Sequence, residues 1–197
     1  MPGNIFEYLD LVRERPAMCV QSLDDLESQI WGYLTALRNH NIVEPVPSMG
    51  RHFLYYVRQK TDWGVSRGWA YAITQHVDGL SKQLETFFTL ADSYRQLTPK
   101  KVATAILLAN HNPTGKRRRT GFDGLMEKPR IVDVIQYAPD PLHFLRFHYD
   151  DRIECDDLLF DAELKHSTTV DDGKRWVNDE FGFESNGWQD IAEHKKD

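Results

Sequence analysis

The apolar residues of this chain change their spacing near residue 98, and that change limits the folds open to it. A helix buries a stripe that recurs every three or four residues, whereas a strand alternates between two faces. Up to Leu97 the spacing is helical; beyond it come β-branched runs separated by turn residues. The pattern predicts an α+β fold: an N-terminal helical bundle followed by a small antiparallel sheet with a C-terminal helix. It also divides the chain into a helical region, 1–97, and a sheet-plus-helix region, 98–197, as two parts or one continuous domain.

Five helices are expected in the first region. Asn4-Ile-Phe-Glu7 resembles a capping box, and Phe6, Leu9 and Val12 form the stripe behind it. Arg15-Pro16 stops that helix. Ser22 caps the second, in which Leu23, Leu26, Ile30, Leu34 and Leu37 keep helical spacing. The third covers Gly50 to Lys60. Ser66 is the expected cap of the fourth, with Trp69, Ile73 and Val77 facing inward. Asp78-Gly79 breaks the pattern before a fifth, from Leu80 to Gln96. Stripes of this kind form core.

The second region is less regular. Thr98-Pro99 opens either a helix or a lead into a buried strand at Val102–Ala109, and the strand is favoured. Ile131-Val-Asp-Val-Ile-Gln-Tyr137 is strand-like, as is Leu142 to Tyr149. Asp150-Asp151-Arg152 is a hairpin connection to the returning strand Ile153–Phe160. Thr168 or Thr169 caps a closing helix that Gly182 ends. A three- or four-stranded sheet results.

The net charge of −6 is unevenly spread. Residues 1–97 hold 9 basic and 11 acidic side chains, 98–130 hold 8 and 2, and 131–197 hold 7 and 17. The overall sign argues against general nucleic-acid binding, which needs a basic face. The acidic third favours a basic partner and a fast encounter with it. The longest apolar run, Val102 to Ala109, is far short of the ~20 residues that span a bilayer, so no membrane contact is expected. With two cysteines and no leader-like start, the chain reads as cytoplasmic.

No local motif announces a chemistry. His143 and His148 stand an odd number of positions apart, so a regular strand sends them to opposite faces; with Asp150 they do not make a metal site. Glu154 and Asp156 share a face, but no calcium-loop pattern surrounds them. No metal, cofactor or catalytic residue is assigned. Cys19 reads as filler, and Cys155 lies beside acids that would raise its pKa. Lys116, Arg117, Arg118 and Arg119 form a basic loop that reads as solvated, as a contact loop, or as a phosphate grip.

Arg13-x-Arg15-Pro16-x-Met18, a long helix, and Ser66-Arg67-Gly68-Trp69-Ala70 before a Phe-rich helix resemble a group of small bacterial proteins. The strand–hairpin–helix half ending in Glu180-Phe181-Gly182 and a Trp resembles them too. These are immunity proteins of polymorphic toxin systems, of the contact-dependent, Rhs or type VI effector kinds. The resemblance implies a protein that binds a cognate antibacterial toxin domain and blocks it by steric and electrostatic occlusion. The expected contact is acidic: Asp150, Asp151, Glu154, Asp156 and Asp157, with Tyr149 as an aromatic anchor. Two alternatives stand beside it. One is a nucleic-acid-associated regulator using Lys116 to Arg119; the other is an enzyme that reverses a toxin's modification.

Overall fold

A computed structural model describes residues 3–116, 127–140, 143–150, 153–156 and 169–191. The chain divides into two compact units, Met1–Thr98 and Pro99–Asp197.

The first unit is helical. Its elements are α1 (Ile5–Glu14), α2 (Pro16–Cys19), α3 (Leu23–Asn39), α4 (Arg51–Thr61), α5 (Trp69–His76) and α6 (Leu80–Arg95). The one-turn α2 was not expected: Pro16 stops α1 and also opens the next turn, where its missing N–H costs nothing. Asn4 caps α1, its Oδ1 accepting from the N–H groups of Phe6 and Glu7 at 2.9 and 3.2 Å. Ser22 caps α3 in the same way.

The start of α5 corrects the expected Ser66 cap. The cap is Gly68, at φ +107°, and it offers no side chain. The orphan N–H of Trp69 is met instead by Glu27 of α3, at 3.2 Å. A side chain at Gly68 would strike that same carboxylate.

Aromatic rings fill the centre of this unit. Phe53 meets Tyr94 at 5.2 Å and Phe87 at 5.7 Å, and Trp69 stacks on Phe87 at 4.6 Å. The edge-on pairs set the negative face of one ring against the positive rim of the next. The Tyr94 hydroxyl donates to the Ser48 carbonyl at 2.7 Å, so the polar end of a buried ring is satisfied.

The second unit holds β1 (Thr98–Ile106), β2 (Ile131–Ala138), β3 (His143–His148), β4 (Ile153–Asp156), α7 (Val170–Phe181) and β5 (Trp188–Asp190). With helices first, then antiparallel strands, then a closing helix, the fold is α+β. Strand, not helix, begins at Thr98. The sheet runs in the order β4-β3-β2-β1-β5, one strand more than expected. The added strand is the tail around Trp188, which pairs antiparallel with β1 through Ala105↔Trp188 and Ala103↔Asp190. Its three residues are too few to show a period.

Alternation sorts the sheet's two faces. Ala103, Ala105, Val132, Val134, Leu145 and Phe147 turn toward α7 and pack with its Trp176, Val177 and Phe181. Thr169 caps α7 in a full capping box with Asp172, and Gly182 ends it in the left-handed conformation at φ +60°.

Candidate functional site

Three of the acids expected to contact a partner, Asp150, Glu154 and Asp156, are among the described residues. Asp150 follows β3 and is 81% exposed. It pairs with Arg130 at 3.2 Å, but both partners lie in water, where such a pair is worth ~0–1 kcal/mol. Its charge is therefore available to a partner. Glu154 and Asp156 lie on β4, the edge strand at one end of the sheet, at positions opposite Phe147 and Leu145. Asp151 and Asp157 fall outside the described residues, as do Arg117, Arg118 and Arg119.

Tyr149 is placed differently from the expected anchor. It is 8% exposed and belongs to the apolar cluster under α7. The reason is parity: Leu145, Phe147 and Tyr149 follow one another on the same face. Lys116 is exposed, and its backbone N–H donates to Thr114 Oγ1 at 3.2 Å. The turn before it is held from α7. Glu180, wholly buried, accepts from the Gly115 N–H at 3.2 Å, and the Glu180 carbonyl accepts from the Thr114 N–H at 2.7 Å. So α7 fixes where the basic stretch begins.

His143 and His148 do not meet. His143 is buried at a position of Leu145 parity, and His148 lies on the opposite face. Among the described residues no three His, Cys, Asp or Glu side chains come together as a metal site. No described helix is long and apolar enough to cross a membrane.

His148 instead finds a partner that the sequence reading passed over. Asp133, in the middle of β2, is buried. Its Oδ2 accepts from His148 Nε2 at 2.8 Å, and its Oδ1 accepts from the Thr104 hydroxyl at 2.6 Å. Lys101 Nζ lies 3.5 Å from Oδ2. Burial pushes the Asp133 carboxyl up. The bonds from His148 and Thr104 and the charge of Lys101 outweigh that and hold it below the usual carboxylate range. Three strands supply the cluster: β1 gives Lys101 and Thr104, β2 gives Asp133, and β3 gives His148. The signal was one acid inside an apolar strand, Ile131-Val-Asp-Val-Ile.

No family model matches the chain, and neither a curated protein nor a solved structure matches it.

Proposed function

We propose that this chain is an immunity protein. It binds a cognate antibacterial toxin domain in the cytoplasm and blocks that domain by covering its active cleft. The observation that carries the reading is the placement of charge. Residues 131–197 hold 17 acidic against 7 basic side chains, and part of that excess stands at one end of the sheet: exposed Asp150 and the acids of edge strand β4. A cleft that handles nucleic acid or another anion is basic, so an acidic edge complements it. Buried contacts then set the lifetime of the complex, and the acidic charge sets the rate at which it forms.

The partner is found by tagged purification from the native host at moderate salt, with retained proteins identified by mass spectrometry. The expected result is one stoichiometric protein with a toxin-type C-terminal domain. Association is then timed at two salt concentrations for the wild type and for a triple variant, Asp150→Lys, Asp151→Lys and Asp157→Lys. The wild-type rate falls with salt, and the variant associates about tenfold more slowly at low salt. Equal rates for the two proteins at low salt would sink the acidic-contact reading. Protection of the toxin's target at stoichiometric amounts separates inhibition from repair, which would succeed at far smaller amounts.

A further inference from the structure

We propose, resting on the inhibitor reading above, that Leu108 and Ile106 are the apolar anchor that seats the toxin domain. Acidic charge speeds an encounter, but desolvated apolar contacts give a complex its lifetime. Tyr149 does not supply that contact, because it is turned into the core under α7.

Parity sets the two residues on one surface. Ala103, Ala105 and Leu107 face α7, so Thr104, Ile106 and Leu108 face away from it. Ile106 is 51% exposed and Leu108 is 60% exposed. The Leu107 N–H donates to the Arg130 carbonyl at 2.9 Å, and the Thr104 hydroxyl reaches Asp133. That register sets half-buried Ile131 beside Ile106. Three aliphatic side chains thus gather at one end of the sheet, on the face away from α7.

Leu108 is also held still. Its N–H donates to His111 Nδ1 at 3.0 Å. Its carbonyl accepts from the His111 N–H at 3.0 Å and from Lys128 Nζ at 3.2 Å. The His111 ring in turn meets the buried Phe183 ring edge-on at 5.0 Å. A single exposed leucine is ordinary. One whose N–H and carbonyl are both fixed has lost its freedom before a partner arrives, which lowers the entropy cost of binding.

What adjoins the anchor identifies its occupant. Arg130 joins it to an exposed acid. The Arg130 carbonyl accepts from Leu107, its N–H donates to the His148 carbonyl at 2.8 Å, and its guanidinium meets Asp150 at 3.2 Å. Lys128 and Arg130, the basic residues bonded here, are engaged, one with the Leu108 and Ala109 carbonyls and the other with Asp150. Asp150 belongs to the acid-rich stretch 131–197. The occupant is therefore a protein with an apolar hollow next to a basic surface, as the cleft of an anion-handling toxin domain presents.

The test uses the full chain and the toxin domain retained in the purification above, with association and dissociation followed separately by biolayer interferometry. The double variant Ile106→Ala, Leu108→Ala is expected to dissociate about thirtyfold faster and to associate within about twofold of the wild-type rate. The acidic triple variant is expected to do the reverse, with slow association. Leu11→Ala, which removes a comparably exposed side chain from α1, is expected to leave both rates unchanged. Thermal melts establish that each variant is folded, and light scattering is expected to show the free protein as a monomer. A wild-type dimer that the double variant splits assigns the patch to a second copy of the chain and overturns the proposal. Toxin binding with wild-type dissociation in the double variant overturns the anchor and leaves the inhibitor reading standing. Retention of no toxin-type protein overturns both.

Discussion

Gly68 and Glu27 show how one contact accounts for a residue. Gly68 holds φ at +107°, and a Cβ built there would lie 2.5 Å from Glu27 Oε2. Gly68→Ala therefore forces a left-handed conformation on an L residue and displaces the acceptor of the Trp69 N–H. The expected loss is about 2 kcal/mol or more, measured by urea denaturation. The sequence pointed to Ser66 as the cap and gave Gly68 no role of its own. The carboxylate that answers the Trp69 N–H is supplied by another helix, which local sequence does not show.

Asp133 gives a pH dependence with a definite sign. Its folded carboxyl lies below the ordinary value, so its stabilising contribution is full above the unfolded pKa of about 3.9. That contribution is lost as pH falls through the folded value. Urea midpoints from pH 7 down to pH 3 should fall more steeply for the wild type than for Asp133→Asn. Glu27 has the opposite sense. Burial, countered only in part by the Trp69 and Ala70 N–H groups, raises its folded pKa. Its contribution is present at low pH and declines as pH rises through that value.

At the scale of elements, helix ends were the most legible feature. Asn4, Ser22 and Thr169 each cap as their short polar side chains predict, since the acceptor lies within three residues of the donor it serves. Thr169→Ala should cost about 1 kcal/mol by chemical denaturation. Its effect should fade in acid. The bonds from the Thr169 N–H and hydroxyl hold the Asp172 carboxyl below its usual value, and protonation removes that half of the box. The elements that escaped the sequence were short. Four residues of α2 and three of β5 carry no period, and their neighbours alone make them regular. The Asp133 cluster escaped for another reason. Its members come from three strands, and only pairing brings them together.

At the scale of the molecule, the two units have interiors of different make-up. Aromatic rings dominate the first, and aliphatic sheet residues under α7 dominate the second. Phe53 touches four rings, Tyr56, Trp69, Phe87 and Tyr94, and is wholly buried. Phe53→Ala should cost about 3–5 kcal/mol in an unfolding titration. That is a large share of the ~5–15 kcal/mol typical of a native protein. The change of apolar spacing near residue 98 was visible at once because it is summed over many residues. The placement of charge on edge or face was not, since a one-residue shift of register reverses every side chain.

The pairing of β1 with β5 also has a history in time. A ribosome delivers β1 well before the residues that cover its outer side, at ~5–20 residues per second. Until Trp188–Asp190 arrive, the nascent strand shows one row of N–H and C=O groups to other growing chains. Lys100 and Lys101, both exposed on β1, give that open border two like charges. Lysine on a bare strand discourages another strand from zipping onto it. Like charges at that end of β1 oppose such pairing, and Lys101 also lies 3.5 Å from Asp133.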